Sequence, residues 1–405
     1  MNPMEFLIPA ATKTPEAALD ALADARFAPF DPRVTAFLAD FSARMLADPV
    51  LRAFPELVAL GYWFRPAAVA ALAARHRALS DTALLRPRGV VLHIAPGNVD
   101  AVFVYSWLLA LLCGNRNIVR LSRRDSAARS ALLALLAVVL HAHPEVAAAN
   151  VLLSYPRDDS VSAALSARCQ LRVVWGGNDT VQHFRRVPLP PLSTELVFPD
   201  RQAWAAFHAG AVCAADDDAL ARLASNFHND AFWFGQQACS SPRAVLWIGE
   251  SGDIAAAKRR FWPALTAELS RRSVRDEPAE LAARIVAAHR MAAADEMRTA
   301  TPLSSWPLRI EADSFSAAAR DAHCGYGLFI EIERPDLAAA ASLFRDADQT
   351  LAQFGFDTQT LRAWAATLDD RALDRIVPLG QALQFSDRWD GHDLLLAFSR
   401  QVVIG

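Results

Sequence analysis

Lysine is almost absent from this 405-residue chain. Lys13 and Lys258 are the only two, so nearly all of the 41 basic residues are arginine. A Schiff-base mechanism therefore has two candidates, neither set in a rich polar context, and is put aside. Cysteine is scarce too: Cys113, Cys169, Cys213, Cys239 and Cys324 are odd in number and form no Cys-x-x-Cys pair. That excludes a disulfide framework and zinc-ligand spacing, so no metal is expected and a reducing cytoplasm fits best. The sixteen glycines offer neither Gly-x-Gly-x-x-Gly nor Gly-x-x-x-x-Gly-Lys-Ser/Thr, so the usual dinucleotide and P-loop fingerprints are missing. No apolar stretch reaches the ~20 residues of a spanning helix. Ala101 to Gly114 and Ala131 to Leu140 read instead as buried helices. Met1 to Phe30 lacks a basic segment leading into an apolar one, so no signal peptide is expected. A net charge of -3 and a pI near 6.4 argue against broad nucleic-acid binding.

What is present is apolar surface. Hydrophobic residues make up 53% of the chain and charged ones 21%, enough for a large core divided into two or three domains. Residues 15 to 80 are alanine-rich with helical periodicity, broken by Pro29, Pro32, Pro55 and Pro66, and read as a helical lead-in. Short apolar runs then alternate with helical stretches. Gly89 to Ala95 precedes a helix over Val99 to Cys113, and Asn117 to Leu121 precedes another over Ala127 to His141. Val151 to Ser154 and Leu171 to Trp175 continue the pattern, which predicts a parallel α/β sheet. Pro188-Leu-Pro-Pro-Leu marks a domain border, and a second α/β region runs from about Trp204 to 375. Arg271 to Thr299 reads as a charged helix with a solvated outer face.

Two strand ends carry groups suited to phosphate. Gly176-Gly177-Asn178-Asp179-Thr180 follows one strand, and Arg120, Ser122, Arg123 and Arg124 close another. Open α/β sheets bind ligands at such ends, and a helix start favours anionic oxygen. Ordinary strand-to-helix turns with solvated arginines would look the same, and spacing leaves both readings open. The segment Asn229 to Arg243 is more pointed. It sets Cys239 among small residues and amides, behind Phe232-Trp233-Phe234 and ahead of the strand-like Ala244-Val-Leu-Trp-Ile. A thiol on a turn before a buried strand is placed to act as a nucleophile in acyl or aldehyde chemistry. The aromatic run can line an acyl tunnel or pack in the core. His228 can lower the thiol pKa or serve as a hydrogen-bond partner. The other cysteines read as core, with Cys324 beside Gly325-Tyr326-Gly327 the one to keep in view.

These segments, in this order, resemble the LuxC-type acyl-CoA reductases, a branch of the aldehyde dehydrogenase superfamily. The resemblance rests on His93-Ile-Ala-Pro-Gly-Asn98-Val, Tyr105-Ser-Trp and Gly114-Asn115-x-Asn117-Ile-Val-Arg120-Leu-Ser122. It continues through Asn229-Asp230-x-x-Trp233, Ala238-Cys239-Ser240-Ser241-Pro242, Cys324-Gly-Tyr-Gly, Arg375-Ile-Val-Pro-Leu-Gly380-Gln381-Ala and Trp389-Asp390-Gly391. It covers roughly residues 85 to 400. It implies an aldehyde-dehydrogenase-like α/β fold of two parallel-sheet domains with a helical N-terminal lead-in. The implied borders are 1–80 for the lead-in packed on the cofactor domain and 81–200 for the dinucleotide-binding domain. A catalytic domain over 201–375 and a segment over 376–405 returning to the cofactor or oligomerisation region complete them.

The resemblance also implies roles. Cys239 matches the nucleophile, and Asn98 the asparagine whose amide helps hold the oxyanion. Arg120 matches a position that contacts the adenosine ribose, Ser122 and Arg123 suit a 2′-phosphate, and Gly176 and Gly177 match the loop near the pyrophosphate. The implied activity is NADPH-dependent reduction of a fatty acyl-CoA or acyl-carrier thioester to the aldehyde, through an acyl-cysteine, with NADPH favoured over NADH. A homo-oligomer and an acyl-ligase or acyl-transferase partner belong to the same expectation. Three departures stand out: Asp100 occupies a position commonly held by proline; Glu195, the nearest match to the general base of oxidative relatives, lacks the diglycine after it; and the glutamate that relatives use on the nicotinamide ribose has no clear match before Gly325-Tyr-Gly. A cysteine acyltransferase or thioesterase without reduction, an oxidative aldehyde dehydrogenase and a non-catalytic oligomeric scaffold are the alternatives.

Overall fold

In the computed structural model, which describes residues 4–8, 15–22, 24–97, 101–274, 276–369 and 371–404, proline opens the early helices. Pro32, Pro55 and Pro66 stand at the first turn of Pro32–Ala47, Pro55–Trp63 and Pro66–Leu79. A missing N–H costs nothing there, and the fixed φ already suits a helix. The chain divides into two units, Met1–Asp200 with Phe385–Gly405, and Arg201–Gln384. Among the described residues no single helix is long and apolar enough to cross a membrane.

The first unit is built on a six-stranded sheet in the order Glu5–Ile8, Asn150–Ser154, Arg116–Leu121, Val90–Ile94, Leu171–Trp175, Thr194–Phe198. All neighbours are parallel except Glu5–Ile8, which adds an antiparallel edge to Asn150–Ser154. That edge strand falls in the stretch read as a helical lead-in; four residues are too few to show a period against an alanine-rich background. Val90–Ile94, Asn150–Ser154 and Leu171–Trp175 are buried at every position, as expected for strands covered on both faces. Numbered along the chain from Val90–Ile94, the parallel strands lie 3-2-1-4-5, so the order reverses between Val90–Ile94 and Leu171–Trp175. Ligands of open α/β sheets bind outside the carboxyl ends at such a switch point.

Polar groups lock this core. Asn115, fully buried, accepts from the Gly89 N–H at 3.1 Å and donates to the carbonyls of Ala110 (3.0 Å) and Phe398 (2.8 Å). Asn117 Oδ1 lies 3.1 Å from His93 Nε2, and Asn117 Nδ2 donates to Asn150 Oδ1 at 2.9 Å. Trp107 Nε1 donates to the same Asn150 oxygen at 2.6 Å. Because Asn117 offers an acceptor, His93 carries its proton on Nε2 and accepts from Ser106 through Nδ1, 3.0 Å away. The Gly-Asn-x-Asn segment is therefore structural, tying sheet to helix.

In the second unit the order is Thr299–Ala300, Leu308–Glu311, Leu328–Arg334, Pro242–Ile248, Gln202–His208, Asp348–Phe354, Arg375–Pro378, antiparallel only at the first pair. Alternate residues feed opposite faces: Trp204 and Ala206 enter one core, Ala205 and Phe207 the other. Phe207 lies 4.8 Å from Trp247 and 4.7 Å from Phe261, ring to ring. The expected helix over Arg271 to Thr299 is not one helix. Ser251–Arg271 ends at its start, and Pro278–Ala293 begins anew with Pro278 in its first turn. Nor is its face wholly solvated: Arg284 is fully buried, paired with Asp276 and donating to the Tyr326 carbonyl. Charge counting hid a side chain that works inside.

Burial pushes His93 down to about 4 from its ordinary 6.5. Between those values the unfolded chain binds a proton that the folded one refuses. The stabilisation from neutral His93 is thus complete above pH 6.5 and is lost as pH falls towards 4, by roughly 3 kcal/mol at most. His93→Gln should flatten this part of the stability profile, read as the urea midpoint against pH; an unaltered slope would assign the pH dependence elsewhere.

Candidate active site

In the first unit the loops after adjacent strands gather at the carboxyl edge of the sheet. Gly97 follows Val90–Ile94, and a Cβ placed on it would lie 3.6 Å from Ser122 Oγ, just past Arg116–Leu121. Ser122 is held by the buried Arg129, which donates to its carbonyl at 2.8 Å and to its hydroxyl at 3.3 Å, and also to the Arg124 carbonyl. Sequence reasoning passed over Arg129 because an arginine in a helical stretch looks like solvated surface. Arg120 is half-buried with its guanidinium 5.2 Å from the Tyr155 ring centre; Arg123 is exposed. Burial pulls Arg120 below the usual arginine range. Two buried donors at this edge, Arg120 Nε and Trp175 Nε1, have no hydrogen-bond partner among the described residues.

Gly176 and Gly177 follow Leu171–Trp175, and Gly177 caps the helix Asn178–Arg185. The first N–H of that helix, on Asn178, donates to Asp200 Oδ2 at 2.9 Å, and a Cβ on Gly177 would meet the same oxygen at 2.9 Å. A carboxylate thus already faces this helix start, so the arginine loop is the more anion-ready of the two. Asn98 and Asp100 lie outside the described residues. Glu195 is committed elsewhere: it sits opposite the fully buried Arg172 in the sheet and accepts from Arg172 Nε at 2.7 Å. A carboxylate engaged in that way is an ion-pair partner, ill-suited to serve as a base.

In the second unit three loops meet at the amino edge, before the adjacent strands Leu308–Glu311, Leu328–Arg334 and Pro242–Ile248. The last loop carries Cys239. Phe234, Gly235 and Gln236 all take positive φ (59°, 58° and 63°), a conformation costly for residues with a side chain unless the surroundings hold it. Here Gln236 does the holding. Fully buried, it donates to the carbonyls of Pro242 (2.7 Å) and Leu328 (3.0 Å) and accepts from the Gly327 N–H (2.8 Å). Gln237 donates to the Cys324 carbonyl at 2.7 Å, and the Tyr326 N–H to the Gly235 carbonyl at 3.0 Å. His323 completes the frame: Nε2 donates to the Leu328 carbonyl at 3.1 Å, and Nδ1 accepts from the Gly325 N–H at 3.1 Å. Burial, then the nearby Arg243, hold its pKa well below the ordinary histidine value. The amides were visible in the sequence, but their partners lie some 90 positions away, so their positioning role was not.

Cys239 emerges from this frame half-buried, its Sγ 4.0 Å from Ser240 Oγ. Burial drives Cys113 up to about 12 and Cys169 to about 11, and also raises Cys324, disfavouring their thiolates. His228, on Asp217–Ala231, stacks on Phe232 with ring centres 5.7 Å apart, and burial lowers its pKa, with Arg272 adding to the effect. Phe232 packs edge-on against Trp306 at 5.6 Å and also meets Phe329, so it belongs to the core; Trp233 and Phe234 are half-buried. Asp230 accepts from the Gly380 and Ala382 N–H groups at 2.6 and 2.9 Å, linking two of the quoted segments. Burial raises its carboxyl to about 7. Lys258, read as lacking polar surroundings, in fact sits among Glu333 (2.7 Å), Glu311 (3.0 Å) and Glu331 (3.6 Å). Its pKa is raised, chiefly through Glu331 acting against desolvation, which keeps the amine charged and unfit for Schiff-base chemistry.

Gln236→Leu would strip the Gly327 N–H and the Pro242 carbonyl of these partners while keeping the volume. The expected cost is about 3 kcal/mol, since each unsatisfied buried polar group costs ~1–3 kcal/mol. Urea denaturation measures it, and a midpoint matching the parent would show that the amide does not hold the loop.

The profile of the family described as Acyl-CoA reductase (LuxC) matches residues 76–303, a stretch that includes Arg120, Gly176 and Cys239. The long-chain acyl-protein thioester reductase of Aliivibrio fischeri is 27% identical over 168 residues, 41% of this chain and 33% of that protein. The same-named protein of Photorhabdus luminescens is 26% identical over 166 residues, 40% of this chain and 32% of that one. The matched stretch thus spans about a third of these curated relatives. Among solved structures, aldehyde dehydrogenase 21 from Physcomitrella patens aligns with a TM-score of 0.70 at 13% identity, covering 96% of this chain and 89% of that one. An NAD-dependent benzaldehyde dehydrogenase from Corynebacterium glutamicum aligns at 0.67 and 12%, covering 100% and 93%. The fold is that of the aldehyde dehydrogenases, and the chain belongs to the Acyl-CoA reductase (LuxC) family.

Proposed function

We propose that this chain reduces a fatty acyl thioester to the aldehyde, carrying the acyl group on Cys239 and using NADPH in preference to NADH. Family membership supports the reaction class, and the relatives' name adds an acyl-protein thioester to acyl-CoA among the donors. The observation that carries the reading is Cys239 itself: a half-buried thiol on a loop pinned by Gln236 and Gln237, just ahead of the buried strand Pro242–Ile248.

The thiolate of Cys239 attacks the thioester carbonyl, forming the Sγ–C bond and placing negative charge on oxygen. The Asn98 side-chain amide and the Cys239 backbone N–H hold that oxyanion; one such donor is typically worth about 10²–10³ in rate. The carbonyl re-forms as the bond to the donor's sulfur breaks, and the departing thiolate takes a proton from water. A nicotinamide dinucleotide, when bound, supplies the hydride for the acyl carbon. Collapse of the resulting thiohemiacetal breaks the C–Sγ bond, releases the aldehyde and returns the thiolate. Arg120, Ser122, Arg123, Gly176 and Gly177 would hold the dinucleotide at the switch point. Arg120 Nε, buried and without a partner among the described residues, and the exposed Arg123 fit an anionic ligand there, and the carboxylate of Asp200 marks the part of the edge that phosphate would avoid. Glu195 does not act as a base, because Arg172 occupies it.

Incubation with a fatty acyl-CoA alone should add one acyl mass to the Cys239 peptide, and NADPH should then remove it. A Cys239 that stays unmodified would sink the acyl-enzyme, and an adduct that NADPH leaves in place would favour acyl transfer over reduction. For cofactor choice, Arg123→Ala should raise KM for NADPH roughly tenfold, the worth of one charge-assisted hydrogen bond, with little change for NADH. Equal losses would remove Arg123 from 2′-phosphate recognition.

A further inference from the structure

At the opposite edge of the first unit's sheet, before its strands begin, lies a cavity of about 830 Å³. Four separate stretches of chain bring six arginines to it: Arg26, Arg33, Arg86, Arg88, Arg116 and Arg400. The single carboxylate among the described residues of its wall, Asp31, is already engaged by Arg33, which donates to it from Nε at 2.9 Å and from a terminal nitrogen at 2.8 Å, and to Glu145 from the other at 3.0 Å. Such an excess of one charge in a concave site is costly for the protein alone. The cost is visible in the fold. Arg86 and Arg400 face each other directly in the antiparallel pairing of Leu84–Pro87 with Ser399–Val402, where opposed like charges destabilise. Arg116 is half-buried, and burial together with nearby Arg26 lowers its pKa.

The cavity is also built. Its floor is closed by the Gly89 N–H on Asn115 Oδ1 (3.1 Å) and the Val90 N–H on Gln170 Oε1 (2.7 Å). Gly114, at φ 84°, brings the chain so close that a Cβ would sit 2.7 Å from the Phe27 carbonyl oxygen. Arg88 is braced by donating to the Ala397 carbonyl at 2.7 Å. A volume within the ~300–1,000 Å³ of small-molecule sites, rather than a flat basic patch, points to a small ligand. Guanidinium forks match phosphate oxygens in pairs.

We infer that this cavity binds a small phosphate-rich anion, of the pyrophosphate or nucleoside bisphosphate class, at a site separate from the cofactor loops. Five-residue strands put roughly 17 Å between the two edges of the sheet. The inference is independent of the chemistry at Cys239.

Titration calorimetry of the full chain with inorganic pyrophosphate tests it, using the double variant Arg86→Gln/Arg400→Gln and, as a control at the other edge, Arg123→Ala. The expected result is saturable binding that the double variant weakens roughly tenfold or more, through lost charge-assisted contacts, and that Arg123→Ala leaves intact. Both arginines of the pair are exposed and repel each other, so the urea midpoint of the double variant should equal or exceed that of the parent. Displacement of pyrophosphate by adenosine 3′,5′-bisphosphate would assign the cavity to the CoA head group, and displacement by ATP alone to a nucleoside triphosphate. Absence of saturable binding, or binding abolished by Arg123→Ala and untouched by the double variant, would overturn the proposal.

Discussion

One side-chain amide braces the loop that carries Cys239. Gln236 reaches two carbonyls and one N–H belonging to two neighbouring strands and the segment leading into one of them, and in doing so braces three successive residues at positive φ. Such a turn persists only where surrounding contacts over-determine it, and Gln236 supplies three of them. Cys239 follows three residues later, so the aim of the thiol is set by a hydrogen-bond pattern rather than by hydrophobic packing. His323 and Gln237 act on the same frame from the Cys324 to Gly327 side. Rigid supporting groups of this kind are what the proposed nucleophile needs, since small misplacements of reacting atoms cost rate steeply.

The first unit solves a different problem with related means. Its sheet is buried on both faces, and the polar groups inside it must be paired. Asn115, Asn117 and Asn150 do this together with His93, Ser106 and Trp107, leaving the carboxyl edge of the sheet available for loops. The arginine-for-lysine bias now has a structural reading. Arg129, Arg172 and Arg284 are all buried and work as multidentate donors to carbonyls and hydroxyls inside the fold, a role for which a planar guanidinium is better shaped than an ammonium. Lys258, by contrast, is used as a point charge among three carboxylates.

Much of this could be read in the chain before its fold was known. Apolar runs alternating with helical stretches predict parallel α/β units, because period and burial are local properties of the residues. Cys239 is singled out by its neighbours in sequence, and the order of the quoted segments identifies the family. Charge and composition alone misjudge what depends on distant partners. The single helix expected over Arg271 to Thr299 is broken near Pro278, and its supposed solvated face holds the buried Arg284.

What the sequence determined by itself is the family and the order of its elements: a cysteine ahead of a buried strand, arginines at a strand end, and strands apolar throughout. Tertiary structure alone decided which side chains are spent on architecture. Glu195 is an ion-pair partner because Arg172 lies opposite it across two strands, and Gln236 is a brace because Leu328 lies 92 positions along the chain. The basic cavity exists because two arginines 314 positions apart meet in one strand pair. Each of these roles is set by contacts across the folded unit, which bring together residues whose separation along the chain carries no sign of it.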